Sequence, residues 1–232
     1  MRQLPLDVRL ADYARFDTFY EGRNAEAVHE LQAVLDRPPQ RVVWLWGSQE
    51  SGKSHLLQAL LAEADQRGLR SAWLPLAEFK ESGMDPEMLE GMGAFELVCI
   101  DDVDRIAGDD AWERAVFRLF EELSNQNARL VVSASVAPKS AAFNLPDLQS
   151  RMNWGGVLRL QSLSDEDSIG ALKKRASHRG LELPDDTAAY LLSRVNRSPR
   201  TLFSLLDRLD QEALVAQRRL TIPFVRQVIE TG

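Results

Sequence analysis

The stretch RVVWLWGSQESGKSHLLQALLAEADQRG, residues 41–68, predicts the centre of the fold. Residues 41–46 are mostly β-branched or aromatic, which is typical of a buried strand. Residues 47–54 match the pattern G-x-x-x-x-G-K-[ST], and the apolar residues from Leu56 to Ala64 lie on one helical stripe that Gly68 ends. A strand, a glycine-rich loop and a helix in this order are what a phosphate-binding loop requires.

Each residue type in this loop has a chemical reason. Glycines let the backbone curl so that several N–H groups point at phosphate oxygens, and the N-terminus of the following helix adds a positive partial charge. We expect Lys53 to reach the β- and γ-phosphates of ATP, or the β-phosphate of ADP, and the Ser54 hydroxyl to ligate Mg²⁺. The candidate nucleotide-binding residues are Gly47, Ser48, Gln49, Glu50, Ser51, Gly52, Lys53 and Ser54. The alternative, a glycine-rich turn without a ligand, is disfavoured by the flanking strand and helix.

Two further strands are predicted to end beside this loop. Residues 96–100 form an apolar run that ends at Asp101 and Asp102, which is the Walker B pattern. Asp101 would hold Mg²⁺ through water and Asp102 would polarise the attacking water, whereas acids that merely cap a strand are the alternative. Residues 129–133 form the next strand. Ser133 at its end would sense the γ-phosphate or place water, although a strand-capping hydroxyl fits nearly as well.

The order of the elements predicts an α/β domain with a parallel sheet, followed by a small all-helical domain. The predicted strands are 41–46, 71–76, 96–100, 129–133 and 157–160. From position 164 onward strands cease, and helices are predicted over 164–179, 185–194, 198–217 and 223–231. We therefore expect a tail at 1–10, an α/β nucleotide-binding domain at 11–160 and a helical lid domain at 164–232. Residues 24–35 and 145–152 are predicted to be helical within the α/β domain.

The composition excludes several classes of protein. No apolar run approaches the ~20 residues that a membrane span needs, and acidic residues near the start argue against a signal peptide. The single cysteine, Cys99, excludes an internal disulfide framework and is interpreted as a small core residue, which fits a cytoplasmic protein. With only three histidines, no dedicated His/Cys metal site is expected. The net charge of −7 disfavours DNA binding by a wide basic face.

Two arginines have positions that suit a phosphate. Arg151 ends the predicted helix at 145–152, and Arg200 begins a helix of the lid. A planar guanidinium that cannot lose its charge is well suited to phosphate recognition. On spacing alone, however, a solvated arginine is the better interpretation for each.

In their order along the chain, these features resemble the AAA+ ATPases. The features are residues 47–54, residues 97–102, Ser133, Arg151 and Arg200. More narrowly, residues 47–57, 101–102 and 145–151 resemble the DnaA family of bacterial replication initiators. Residues 145–148, 150–151, 153–155, 163–167, 200–203 and 217–225 resemble a regulatory branch of that family. The resemblance covers nearly the whole chain and implies the AAA+ fold.

This resemblance implies roles that spacing alone does not. Arg151 matches the arginine finger, which acts on a nucleotide held by a neighbouring subunit. Arg200 matches the second sensor, a lid arginine that touches bound nucleotide. The further residues implied to line the nucleotide pocket are Tyr20, Gly22, Asn24 and His55.

The N-terminal residues also gain a meaning from the resemblance. Gln3, Leu4, Pro5 and Leu6 resemble the Q-L-[SP]-L motif by which such proteins bind the sliding clamp, the β subunit of the replicative polymerase. Alternate side chains of an extended peptide can fill pockets, and proline lowers the ordering cost. The alternative is that these residues pack on their own protein as an edge strand.

The resemblance implies a regulator of replication initiation. The clamp on DNA would recruit it, and it would stimulate hydrolysis of the ATP bound to the initiator DnaA, with ADP in its own site as a structural switch. Because no helix-turn-helix domain follows the lid, we expect DNA contact mainly through the clamp. The alternatives are a self-standing ATPase such as a helicase loader and a plain DNA-binding module. A homodimer that hides residues 3–6 and the arginine face is also compatible with the sequence.

Overall fold

The computed structural model describes residues 14–39, 42–195, 198–216 and 218–230. It divides into two compact units. The first comprises Met1–Phe16 and Arg23–Gln161 as far as they are described, and the second comprises Asp17–Gly22 and Ser162–Gly232 with the same restriction. The predicted clamp-binding residues Gln3, Leu4, Pro5 and Leu6 lie outside the described residues.

A parallel sheet lies at the centre of the first unit. Its strands are β1 (Val43–Trp46), β2 (Ser71–Pro75), β3 (Leu97–Asp101), β4 (Arg129–Ala134) and β5 (Gly156–Arg159). They are ordered β2-β3-β4-β1-β5, and Val43 of β1 is paired with Val131 of β4 on one side and with Gly156 of β5 on the other. The prediction of an α/β fold with a parallel sheet is confirmed. Every loop that follows a strand therefore starts at the same edge of the sheet.

Helices cover this sheet because parallel strands must bury both faces. They are α1 (Ala25–Gln32), α2 (Lys53–Gln66), α3 (Leu76–Glu81), α4 (Asp110–Asn125) and α5 (Pro146–Met152). Strand residues Trp44, Leu45 and Ile100 are fully buried, which explains why the strands are continuous apolar runs in the sequence. The predicted helix at 24–35 is α-helical only over Ala25–Gln32 and has 3-10 turns at both ends.

The second unit is a helical bundle with its own apolar core. Its helices are α6 (Asp165–His178), α7 (Asp185–Arg194), α8 (Pro199–Ala216) and α9 (Ile222–Glu230). The core includes Leu172, Leu191, Leu206, Leu209 and Val225. A capping box starts α6, because Ser164 Oγ accepts from the Asp167 N–H at 3.1 Å and Asp167 Oδ2 accepts from the Ser164 N–H at 3.0 Å. Among the described helices of both units, none combines the length and the apolar character that a membrane crossing demands.

The segment Asp17–Gly22 belongs with the helical unit although it precedes the sheet in sequence. Lys174 Nζ donates a hydrogen bond of 2.7 Å to the Phe19 carbonyl oxygen. The Tyr20 ring lies against α6 at Gly170, where an added Cβ would be 2.4 Å from a Tyr20 ring carbon. Only glycine therefore leaves room for the Tyr20 ring in this position.

Candidate functional site

The loop that joins β1 to α2 lies at the carboxyl edge of the sheet. Gly47 approaches its neighbours so closely that a Cβ there would be 2.6 Å from the Leu160 carbonyl oxygen and 2.8 Å from Ser51 Oγ. Gly52, the residue before α2, has φ +96° and Glu50 has φ +62°. Glycine at positions 47 and 52 is thus required by packing and by backbone conformation respectively, as the loop pattern predicts.

Lys53 is held directly against this loop. It is only 7% exposed, and its Nζ donates to the carbonyl oxygens of Gly47 and Ser48, each at 3.0 Å. A buried ammonium needs such partners, because burying an unpaired charge is costly. An ammonium carries three donors, and the two carbonyls take two of them. The charge is thus fixed at the mouth of the loop, where a phosphate oxygen could accept.

Ser51 supplies an independent indication that an anion fits here. Its Oγ is buried and has no hydrogen-bond partner among the described residues. A buried hydroxyl without a partner costs about 1–3 kcal/mol, so a phosphate oxygen in the loop would relieve a penalty. The loop glycines, Lys53 and this hydroxyl together have the chemistry that a nucleotide phosphate requires.

Ser133 connects the two acidic residues that follow β3. Its hydroxyl is fully buried, donates a hydrogen bond to Asp101 Oδ1 and accepts one of 2.9 Å from the Asp102 N–H. The sequence suggested that this hydroxyl meets the γ-phosphate or water. In the structure it orients the carboxylate of Asp101, and a direct role on phosphate stays a prediction.

Asp102 has both an unusual backbone and an unusual carboxyl group. Its φ is +55°, and Glu50 and Asp102 are two of the four non-glycine residues with positive φ in the described ranges. Such conformations cluster at functional sites. Burial raises the pKa of the Asp102 carboxyl, the neighbouring charge of Asp101 raises it further, and Lys53 acts in the opposite direction. The Asp102 carboxyl is therefore protonated more readily than an ordinary aspartate.

The oxygen ligands at this edge suit Mg²⁺ carried by a nucleotide. Asp101 is 5% exposed and Ser54 is exposed at the start of α2. No cluster of three or more His, Cys, Asp or Glu side chains in the described part of the chain could hold a metal by itself. Mg²⁺ commonly takes only one or two protein ligands and completes its shell with phosphates and water. The residues present fit that mode.

Arg151 ends α5 in a different environment. Its Nε lies 3.3 Å from Glu121 Oε1, and its guanidinium carbon lies 4.1 Å from the centroid of the Trp154 ring and 5.9 Å from that of Phe120. The residues lining an open hollow of about 400 Å³ at this place are Pro39, Phe120, Glu121, Ser124, Asn127, Ala128, Arg151 and Trp154. Trp154 and Glu121 were not predicted, although the spacing of three residues between Arg151 and Trp154 is a usable signal.

This hollow and the loop lie at opposite edges of one sheet. Pro39 precedes β1, Ala128 precedes β4 and Trp154 precedes β5, so the hollow is at the amino ends of the strands. The glycine-rich loop follows β1 and is at the carboxyl ends. The four residues of β1 alone span roughly 13 Å at ~3.3 Å per residue. Arg151 therefore lies on the side of the unit away from its own loop.

The remaining predicted residues are divided between the units. Asn24, in the first unit, is buried; its amide donates to the Gln161 carbonyl oxygen at 3.0 Å and accepts from the Gln161 N–H at 2.8 Å. His55 Nε2 lies 3.0 Å from the Arg15 carbonyl oxygen. Tyr20 and Gly22 belong to the second unit, where Arg200 is exposed in the first turn of α8. Their roles in adenine or phosphate binding stay predictions.

The sheet order, the loop, the paired acids and the helical bundle define an AAA+ nucleotide-binding fold. Residues 10–159 match the family model described as the bacterial DnaA ATPase domain, and residues 165–229 match that described as the Hda lid domain. The chain belongs to the DnaA ATPase family and is an Hda-like, DnaA-related AAA+ protein. The narrower resemblance in the sequence, to the DnaA regulatory inactivator Hda, is thereby confirmed.

Solved structures show the same fold. Domain III of the replication initiation protein DnaA from Thermotoga maritima is similar with a TM-score of 0.78 and 20% identity, over 95% of this chain and 97% of that one. AMPPCP-bound DnaA from Aquifex aeolicus has a TM-score of 0.67 and 21% identity, over 86% of this chain and 65% of that one. The Holliday junction branch migration motor RuvB of Thermotoga maritima has a TM-score of 0.65 and 18% identity, over 94% of this chain and 73% of that one.

Proposed function

We propose that this protein regulates the initiation of bacterial replication as a nucleotide-bound adaptor. Together with the DNA-loaded sliding clamp it stimulates hydrolysis of the ATP bound to DnaA, which prevents re-initiation. The observation that carries the proposal is the separation of Arg151 from the loop of its own unit, roughly 13 Å across the sheet. An arginine in this position is suited to contact the nucleotide that another subunit holds. The membership of this chain in the DnaA ATPase family supports DnaA as that subunit.

Its own site holds ADP or ATP with Mg²⁺ in this proposal. The Aquifex aeolicus relative was solved with the ATP analogue AMPPCP, which supports an adenine nucleotide here. Lys53 and the buried Ser51 hydroxyl bind the phosphates, and Asp101 and Ser54 meet the ion directly or through water. The α/β domain at 11–160 supplies these residues, and Arg200 of the lid domain at 164–232 acts as the second sensor that the family resemblance implies. The bound nucleotide stabilises the fold and the interface.

Arg151 acts on the partner's nucleotide by electrostatic stabilisation. Hydrolysis spreads negative charge over the γ-phosphate oxygens, and an arginine supplied in trans can raise the rate by ~10³–10⁵. The Trp154 ring and Glu121 hold the guanidinium at the surface before the partner arrives. A side chain held in place loses less conformational entropy on binding, so this arrangement favours the catalytic geometry.

The clamp is bound through Gln3, Leu4, Pro5 and Leu6 in this proposal. An extended six-residue segment reaches about 20 Å, which lets a short tail dock away from the body of the protein. Leu4 and Leu6, two positions apart, would fill pockets on the clamp, and contact with DNA would be indirect. A second copy of this chain is the alternative occupant, and a pull-down of the clamp by wild type and by Leu4→Ala/Leu6→Ala separates the two.

The decisive test measures the hydrolysis of labelled ATP bound to DnaA in the presence of clamp loaded on DNA. We expect wild type to accelerate hydrolysis and Arg151→Ala to lose the acceleration while still binding nucleotide and clamp. The matched control is Arg114→Ala, which removes an exposed arginine of α4 whose partner is Asp110. Full acceleration by Arg151→Ala would refute the proposal.

A self-standing ATPase is the second candidate, because Lys53, Ser54, Asp101 and Asp102 are all present at one edge of the sheet. The raised pKa of Asp102 is compatible with a proton acceptor in its own site. Steady turnover of ATP by the purified protein without DnaA, abolished by Lys53→Ala, would favour this candidate. Turnover that appears only with DnaA and clamp would favour the adaptor.

A further inference from the structure

Among the described residues of the first unit, Glu113 is a buried carboxylate that the site described above does not use. It lies in the first turn of α4 and has no exposed surface. A buried carboxylate is tolerated only when its oxygens are hydrogen-bonded. Glu113 Oε1 accepts from the Gly108 N–H at 2.8 Å and the Asn144 N–H at 3.0 Å, and Oε2 accepts from the Leu145 N–H at 2.7 Å.

These three donors belong to two loops that approach α4 from different parts of the chain. Gly108 lies between the 3-10 turn Val103–Ile106, which begins directly after Asp102, and the start of α4. Asn144 and Leu145 lead into α5, the helix that ends with Arg151. One carboxylate therefore ties the segment after the paired acids to the segment that carries the arginine.

This tie reaches the start of α5 through the N–H groups of Asn144 and Leu145. Leu145 is the residue before α5 and provides no side-chain cap, and Pro146 at the first position of the helix has no N–H. No N-cap side chain therefore fixes this helix start, although Pro146 favours the helical backbone conformation. Glu113 provides the fixation from another helix, through two of its three hydrogen bonds.

We propose that Glu113 is a positioning residue for Arg151, which acts through the start of α5. The inference rests on the proposed function of Arg151. Arg151 lies six residues after Leu145, which is about 9 Å along a helix at 1.5 Å per residue. Because α5 is a single short helix, a displacement of its start is passed on to the guanidinium at its end.

The substitution Glu113→Gln tests this arrangement with little change in shape. An amide has one accepting oxygen, and its other end carries two donors. In the position of Glu113 an NH₂ group would face at least one backbone N–H at 2.7–3.0 Å. The variant therefore loses an acceptor and gains a donor–donor contact at the loops that Glu113 holds.

The experiment adds increasing concentrations of the variant to ATP-bound DnaA and DNA-loaded clamp, and measures the rate of ATP hydrolysis. Two quantities are compared with those of wild type: the plateau rate and the concentration that gives half-maximal stimulation. For Glu113→Gln we expect the plateau to fall by roughly tenfold to a hundredfold, the cost of about 1 Å of misplacement. The half-maximal concentration changes less than threefold. The control Asp110→Asn removes a charge from the same turn of α4, retains an acceptor for the Asn144 amide and keeps the wild-type plateau.

The opposite pattern would overturn the inference. A merely structural role lowers the folded fraction, which raises the half-maximal concentration and leaves the plateau unchanged. If Arg151→Ala abolishes stimulation while Glu113→Gln keeps its plateau, the inference on Glu113 is wrong and the proposed function stands. If Arg151→Ala stimulates fully, the proposed function itself is wrong.

A second variant covers the case in which Glu113→Gln does not fold. The α-hydroxy analogue of leucine at position 145 replaces the Leu145 N–H with an oxygen and leaves every side chain unchanged. It deletes the 2.7 Å bond to Glu113 Oε2 and places an ester oxygen against that carboxylate oxygen. We expect its plateau to fall at least threefold with an unaltered half-maximal concentration. An unchanged plateau in this variant would count against the proposal.

Discussion

The guanidinium carbon of Arg151 lies 4.1 Å from the centre of the Trp154 ring, three residues further along the chain. The two side chains occupy the hollow at the amino edge of the sheet, and Trp154 is 47% exposed there. A cation over an aromatic face gains about 0.5–1 kcal/mol at an exposed site and more where water is excluded. The ring therefore holds a long, otherwise mobile side chain at the surface of the unit.

Replacing Trp154 should weaken the proposed action of Arg151 without abolishing it. We expect Trp154→Ala to lower the plateau rate of DnaA-bound ATP hydrolysis about twofold to fivefold, the equivalent of ~0.5–1 kcal/mol. Trp154→Phe keeps an aromatic face and should retain most of the rate. Equal losses in the two variants would show that the ring face does not position Arg151.

Removing the Lys53 ammonium should lower the affinity for nucleotide. Its charge-assisted hydrogen bonds are worth about 1.5–3 kcal/mol each, so Lys53→Ala should weaken ADP binding by roughly tenfold to a hundredfold. Calorimetric titration with ADP measures this change. The matched control is Lys139→Ala at an exposed lysine, which should bind ADP as wild type does. Unaltered affinity in Lys53→Ala would mean that the loop does not hold phosphate.

Because Gly170 contacts Tyr20, we expect the substitution Gly170→Ala to destabilise the protein, the opposite of its usual effect in a helix. Glycine to alanine inside a helix normally stabilises by up to about 1 kcal/mol. Here the added Cβ would be 2.4 Å from a Tyr20 ring carbon, so Gly170→Ala should lower the free energy of unfolding. Chemical denaturation measures this difference.

The same substitution in a Tyr20→Ala background should stabilise by about 0.5–1 kcal/mol, because the ring that it meets is gone. Destabilisation of equal size in both backgrounds would show that the Tyr20 ring is not what restricts position 170. The predicted place of Tyr20 in the adenine pocket adds a second measurement. If that prediction holds, Gly170→Ala also weakens ADP binding.

The thiol of Cys99 should not react with thiol reagents in the folded protein. It is fully buried in β3, which confirms its interpretation as a core residue, and burial raises the pKa of its thiol well above the ordinary 9.0, with the Asp101 charge as a second cause. Because the folded pKa exceeds the unfolded one, the free energy of unfolding is unaffected below about pH 8.5 and falls above it. Labelling by a disulfide reagent at pH 8 should therefore follow global unfolding in urea. Rapid labelling without denaturant would contradict this expectation.

The helices and strands that a pattern of neighbouring residues marks were predicted from the sequence. The apolar run before Gly47 predicted β1, and the spacing of leucines predicted α2. The helix α3 was not predicted, because Leu76 was assigned to the preceding strand and a helix of six residues has too little periodicity to detect. The strand before Asp102 ends one residue later than predicted, at Asp101 itself.

Contacts between distant parts of the chain could not be predicted in this way. The Phe19 carbonyl and Lys174 are 155 residues apart, so no local pattern indicates that Asp17–Gly22 packs on the helical bundle. Glu113 meets Asn144 and Leu145 across more than thirty residues, and in the sequence it is one more glutamate at the start of a helix. The family resemblance suggested what Arg151 does, but only the hollow at the amino ends of the parallel strands placed it on the edge away from its own loop.

That placement gives the first unit a polarity, with a donor edge that carries Arg151 and an acceptor edge that carries the loop. A contact in which one unit's Arg151 meets another's loop joins unlike surfaces, so it is head-to-tail. A dimer with two-fold symmetry joins like surfaces, and one that buried the hollow would set Arg151 against its own copy. Such a pair would leave both loops without an arginine, so any symmetric dimer formed through this face must come apart before either copy can serve a partner.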